Sequence, residues 1–137
     1  MAANLETMEI LIVDDYKTIL RIIKNLLMEI GFKNIDEASD GSKALKALRE
    51  KKYDLVISDW NMEPMNGYEL LREVRADEHL KPLPFIMVTA ESKTEKVVAA
   101  KKAGVNNYIV TPFNAVTLRS KLLLLLENSN GSRNNAR

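Results

Sequence analysis

Five short apolar runs alternate with longer amphipathic stretches along this chain. The runs are 8–13 (MEILIV), 34–38 (NIDEA), 53–58 (YDLVIS), 83–88 (LPFIMV) and 105–110 (VNNYIV), the second being the weakest. Between and after them lie 16–30, 42–51, 68–77, 91–103 and 113–128, each read as a helix. In the first, Ile19, Ile22, Ile23, Leu26, Leu27 and Ile30 recur at spacings of three and four, which puts one apolar face on a helix. Ala44, Leu45 and Leu48, then Leu70, Leu71 and Val74, then Val116, Leu118, Leu122, Leu125 and Leu126 do the same in later stretches. Gly31 and Gly104 stand where helices should stop, and Asp40-Gly41 reads as a turn. Strands alternating with helices predict a parallel sheet covered on both faces. Right-handed crossovers leave few ways to wind five such units. The expected fold is an α/β three-layer sandwich, a doubly wound five-stranded parallel sheet of flavodoxin-like strand order.

Composition removes other readings. The 137 residues fit one compact domain, since domains run to roughly 100–200 residues. With no Cys there is no disulfide framework, thiolate zinc site or cysteine nucleophile, and a single His excludes a His-rich metal site. The longest apolar run, 122–126, is far short of the roughly 20 residues that span a bilayer, so no membrane insertion is expected. Residues 1–9 lack the basic start and apolar stretch of a secretory signal, which predicts a cytoplasmic protein. The net charge is +1. The stretch 128–137 (NSNGSRNNAR) holds two Arg and no acid, so 1–127 carries the other 18 basic side chains against all 19 acids. That is no footprint for DNA, which calls for a basic domain. The division expected is a domain over 1–127 and a disordered tail over 128–137.

In doubly wound folds ligands sit at the carboxyl ends of the strands, where the strand order reverses. There this chain places Asp14-Asp15 after the first run, Asp59 after the third, Thr89 after the fourth and Thr111-Pro112 after the fifth. Asp often starts helices, so Asp14-Asp15 could be a cap. A cap needs one Asp, however, and three carboxylates at one edge repel each other unless a cation is bound. Hard carboxylate oxygens suit Mg²⁺, which keeps waters and shares phosphate oxygens. A Mg²⁺–phosphate site is the sharper reading, and a structural carboxylate cluster the plainer one. Taken singly, Thr89 could be a cap, Tyr108 a half-buried strand aromatic, Trp60 plain packing, and His79 and Lys101-Lys102 solvated surface.

The stretches IVDD (12–15), DWNM (59–62), MVTAE (87–91) and YIVTPF (108–113) fall at the ends of the expected strands. With them the chain resembles the receiver domain of bacterial response regulators from about residue 8 to 127, and the stand-alone chemotaxis regulators most of all. The resemblance implies that Asp59 accepts a phosphoryl group from a histidine kinase. It implies Mg²⁺ held by Asp15, Asp59 and the backbone carbonyl of Asn61, and through water by Asp14. Thr89 would contact the phosphoryl group, Tyr108 would turn inward in response, and Asn61 and Glu91 would tune attack by water. Such a chain catalyses only its own phosphorylation and dephosphorylation. Output would be protein–protein, to a flagellar motor switch or a phosphatase, from a monomer. Two departures stand out: Thr111 replaces the family's usual lysine, and Glu63 its usual proline, with Pro64 one place later. The lysine loss opens a second reading, a phosphate sink without conformational output. A third is a nucleotide-second-messenger module using Arg119, Arg133 and Arg137. A fourth, a Mg²⁺ phosphohydrolase, lacks room for a substrate-capping element.

Overall fold

The computed structural model describes residues 4–111 and 116–124. Its elements are β1 (Glu9–Val13), α1 (Lys17–Ile30), β2 (Asn34–Ala38), α2 (Gly41–Glu50), β3 (Leu55–Ser58), α3 (Gly67–Ala76), β4 (Phe85–Thr89), α4 (Thr94–Ala103) and β5 (Asn107–Val110). Residues 116–124 are helical. All strands are parallel, in the order β2-β1-β3-β4-β5. This is the expected doubly wound sheet, with its reversal between β1 and β3.

The strands read as continuous apolar runs because both sheet faces are covered. Leu11, Val13, Val56, Phe85 and Met87 point into a core with the apolar stripes of α2 and α3. Ile10, Ile12, Leu55, Ile57, Ile86, Val88 and Ile109 point the other way, onto Leu20, Ile23 and Leu27 of α1 and onto Leu118 and Leu122. Even the weak run at 34–38 is a full strand, because Ile35 and Ala38, on opposite faces of the sheet, are each buried beside β1.

The helix stripes depart from expectation in two places. Leu20 is 6% exposed and belongs to the core, whereas Ile22 is 47% exposed. Val116 is 72% exposed, so the inward face of the last helix runs through Leu118 and Leu122; Leu125 and Leu126 lie outside the described residues. Asp40-Gly41 is a helix start rather than a free turn. The Asp40 side chain accepts from the N–H groups of Ser42 and Lys43, and Gly41 opens α2. An Asn66–Glu69 capping box starts α3 one residue earlier than expected. β5 begins at Asn107 rather than 105, because the Val105 N–H closes the end of α4 on the Ala100 carbonyl.

The correction that matters for function is α4, which begins at Thr94 rather than 91. The Glu91 N–H donates sideways to Thr89 Oγ1, at 3.2 Å, and its carbonyl accepts from the Tyr108 hydroxyl, at 2.6 Å. Both backbone groups of Glu91 are thereby drawn out of a helical ladder, and a three-residue stretch stays open above the sheet edge.

Candidate functional site

The β1–β3 register pairs Val13 with Ser58, so the residues that follow each strand emerge side by side. The Asp59 N–H donates to the Val13 carbonyl at 2.9 Å, and the Asp14 N–H to the Ala38 carbonyl at 3.1 Å. The backbone thus carries Asp14, Asp15 and Asp59 to one point at the switch of strand order. One carboxylate oxygen from each lies within 4.8 Å of the others. Asp14 is buried, Asp59 half-buried and Asp15 exposed.

The electrostatics of this cluster follow from burial and like charge. Burial pushes the Asp14 carboxyl up to about 7; the Tyr16 N–H bond opposes this, and the charges of Asp59 and Asp15 add to it. That N–H reaches Asp14 Oδ1 at 2.9 Å and closes a turn ahead of α1, whose N-cap is Tyr16 and carries no side-chain cap bond, so Asp14 does not cap the helix. Asp59 is also raised, chiefly by burial and in part by Asp15. The Thr89 hydroxyl and the N–H groups of Trp60 and Asn61 pull the other way by hydrogen bonding its carboxylate. A set of hard oxygens carrying repelling charges is a donor set that fits a small divalent cation.

Around the acceptor position, Gly67 makes a close approach possible. A Cβ there would fall on the Asp59 carbonyl oxygen, and the Gly67 N–H donates to the Trp60 carbonyl at 2.9 Å. The loop between Asp59 and α3 carries the expected departure at Glu63, whose peptide bond to Pro64 is cis. Asn61 is exposed, and Thr89 is buried at the end of β4. Thr111 is half-buried and is tied to the edge by its N–H, which donates to the Thr89 carbonyl at 2.9 Å. Tyr108 is half-buried, and burial pushes its phenol up to about 12. Its ring meets Trp60 edge-on, with centroids 6.5 Å apart, and Trp60 stacks on Tyr68 at 5.1 Å.

Sequence reading brought Asp14, Asp15, Asp59, Thr89, Tyr108, Glu91 and Thr111 to one edge, and the structure groups them there. Trp60 is buried in the core, as the packing alternative expects, and there it also meets Tyr108, Tyr68 and a cation. That cation, Lys96, was not anticipated. Its ammonium lies 5.2 Å from the Trp60 ring centroid and 3.6 Å from Glu91 Oε2. No periodicity signals this pair, because Glu91 lies outside the helix that carries Lys96. Away from the edge, His79, Lys101, Lys102 and Arg119 are exposed, while Arg133 and Arg137 lie outside the described residues. Beside Asp14 and Asp15 opens a cleft of about 720 Å³, edged by Lys17, Arg21, Lys24 and Lys43. Among the described residues, no helix is long and apolar enough to cross a membrane.

The family model for the response regulator receiver domain matches residues 10–123. The chain is 52% identical over 122 residues to chemotaxis protein CheY-3 of Vibrio cholerae, covering 89% of this chain and 94% of that protein. It is 52% identical over 124 residues to chemotaxis protein CheY of Pseudomonas aeruginosa, covering 90% of this chain and all of that protein. In structure it is similar to the chemotaxis response regulator CheY4 of Vibrio cholerae, with a TM-score of 0.79, 35% identity, and 88% and 100% of the two chains covered. It is also similar to the receiver domain of a sensor histidine kinase from Pseudomonas aeruginosa, which has a magnesium ion coordinated in its active site cleft. There the TM-score is 0.79, the identity 28%, and the coverage 88% and 98%.

Proposed function

We propose, given that the chain belongs to the response regulator receiver domains, that it is a phosphorylation switch of a chemotaxis-type two-component pathway, with Asp59 as acceptor. One observation carries the reading. Three carboxylate oxygens, from Asp14, Asp15 and Asp59, converge within 4.8 Å at the switch of strand order.

In the reaction, a carboxylate oxygen of Asp59 attacks the phosphorus of a phosphohistidine on a histidine kinase. The P–N bond breaks and the P–O bond of an acyl phosphate forms. A carboxylate approaching an anionic phosphoryl group needs positioning and charge compensation more than covalent help. Asp15, Asp59 and the Asn61 carbonyl would hold Mg²⁺, with Asp14 behind them. When bound, Mg²⁺ supplies charge neutralisation between carboxylate and phosphoryl oxygens. The chain's own groups do the rest. The N–H groups of Trp60 and Asn61 fix the Asp59 carboxylate, and Thr89 keeps a hydroxyl aimed at it. Lys17, Arg21, Lys24 and Lys43 give an anionic donor a favourable approach beside the cluster. Asn61 and Glu91 flank the acyl phosphate and set how readily water reaches it. Output to a protein partner, a flagellar motor switch or a phosphatase, runs over α4, β5 and residues 116–124, where Val98, Val110 and Val116 are exposed.

The reading is tested by intact mass after incubation with acetyl phosphate. One phosphoryl group should be added with Mg²⁺, and none without it or in Asp59→Ala. A label that persists in Asp59→Ala would refute the acceptor assignment.

A second reading, the phosphate sink, is favoured by Tyr108. Its hydroxyl is already held by the Glu91 carbonyl in the unmodified chain, which leaves phosphorylation little to turn inward. Equal partner affinity with and without the phosphoryl group would select the sink.

A further inference from the structure

A continuous path of contacts leads from the acceptor to β5. Thr89 sets its hydroxyl toward the Asp59 carboxylate, and its Oγ1 accepts from the Glu91 N–H at 3.2 Å. One hydroxyl can do both. The Glu91 carbonyl accepts from Tyr108, and Trp60 sets its ring against Tyr108 and so returns the path to Asp59. A cation lies against this path. Lys96, in the first turn of α4, places its ammonium 5.2 Å from the Trp60 centroid and 3.6 Å from Glu91 Oε2. The Lys96 and Glu91 side chains are 36% and 15% exposed, so the pair is partly shielded from salt.

Charge counting shows what this cation could do. Phosphorylation replaces the single charge of Asp59 by about two, so with Asp14 and Asp15 the site reaches a formal charge of about −4. A divalent cation offsets half of that. The strand ends offer hydroxyls at Thr89 and Thr111, which donate a bond but bring no charge.

We propose that Lys96 is the cationic contact of the phosphorylated site. Its ammonium leaves the Trp60 face and donates to the phosphoryl oxygens, taking the part that Thr111 cannot. A cation over an aromatic face, in a long and partly exposed ion pair with Glu91, is held weakly compared with a charge-assisted bond to a phosphoryl oxygen. The flexible four-carbon stem allows the swing. The assignment rests on Asp59 being the acceptor.

The test is a double-mutant cycle between positions 96 and 111, read by equilibrium binding of beryllium trifluoride with Mg²⁺. This anion mimics a phosphoryl group on a carboxylate. Lys96→Gln should weaken binding about tenfold with Thr111 in place, the scale of one lost charge-assisted bond. In a Thr111→Lys background the same change should cost less than about twofold, because the new ammonium serves the same oxygens. Lys96→Arg, which keeps the charge, should bind as the unaltered chain does. Equal losses in both backgrounds, or no loss in either, would overturn the assignment while leaving Asp59 as acceptor. If the unaltered chain gains no phosphoryl mass from acetyl phosphate, the acceptor reading falls, and this assignment with it.

Discussion

The Tyr108 hydroxyl donates to the Glu91 carbonyl oxygen at 2.6 Å, across a separation of 17 residues. This bond pins the open stretch between β4 and α4 to β5. Tyr108→Phe removes it and leaves the ring against Trp60. A partly buried neutral hydrogen bond contributes about 1 kcal/mol or less, so the variant should melt slightly lower. The more specific outcome is faster amide hydrogen exchange confined to 91–96. Unchanged exchange there would mean that the loop is held by other contacts.

Asp14 is buried beside two like charges, and its carboxyl is pushed up to about 7. Its ionised form therefore works against the fold when no cation is present. Asp14→Asn keeps an acceptor for the Tyr16 N–H and removes the charge. In EDTA at pH 7.5 the variant should be more stable than the parent by on the order of 1–2 kcal/mol in denaturant melts. Added Mg²⁺ should stabilise the parent more than the variant. A variant less stable than its parent in EDTA would contradict this account.

Gly67 admits no side chain, because a Cβ would overlap the Asp59 carbonyl oxygen. Backbone cannot yield as a side-chain tip can, so Gly67→Ala should cost about 1–3 kcal/mol. The displaced atoms belong to the proposed acceptor, so labelling by acetyl phosphate should slow as well. Full-rate labelling in a destabilised variant would show that strain stops short of the carboxylate.

On the edge strand β2, Asp36 accepts from the Tyr53 hydroxyl at 2.6 Å and from Lys51 at 2.9 Å. These bonds hold its carboxyl below the usual range, with Lys51 the larger cause. A depressed acid stabilises the fold above its unfolded value, about 3.9, and loses that effect as pH falls through the lower folded value. Tyr53→Phe should destabilise by about 1 kcal/mol at neutral pH, discounted for the exposure of Asp36. The difference between variant and parent should shrink below about pH 4. A gap that stays constant down to pH 2.5 would assign the loss to packing.

What could be read in the chain is what repeats or what ends a strand. Strand runs such as 83–88 announce themselves because both faces are buried, and Asp14, Asp15 and Asp59 are conspicuous because carboxylates seldom follow such runs in company. What escaped is set by contacts distant in sequence. Ile22 carries the right spacing but faces outward, since the stripe that meets the sheet turns through Leu20, Ile23 and Leu27. The start of α4 is decided by Thr89 and Tyr108, which claim the backbone of Glu91 from either side. Lys96 meets Glu91 and Trp60 only once β3, β4 and α4 are assembled.

Arg75 escaped for the same reason. Near the end of α3, its half-buried guanidinium donates to the carbonyls of Lys81, Leu83 and Gly104 and to Asn106 Oδ1. Asn106 Oδ1 also accepts from the Phe85 N–H. One planar cation thus fastens the tail of α3, the approach to β4 and the turn into β5 at the amino-terminal end of the strands. The spacing of β4 and β5 is thus set twice, by Arg75 at the base and by the Tyr108–Glu91 and Thr111–Thr89 bonds at the carboxyl edge. The two strands stand like rails held by a tie at each end, and only the upper tie lies within reach of chemistry at Asp59.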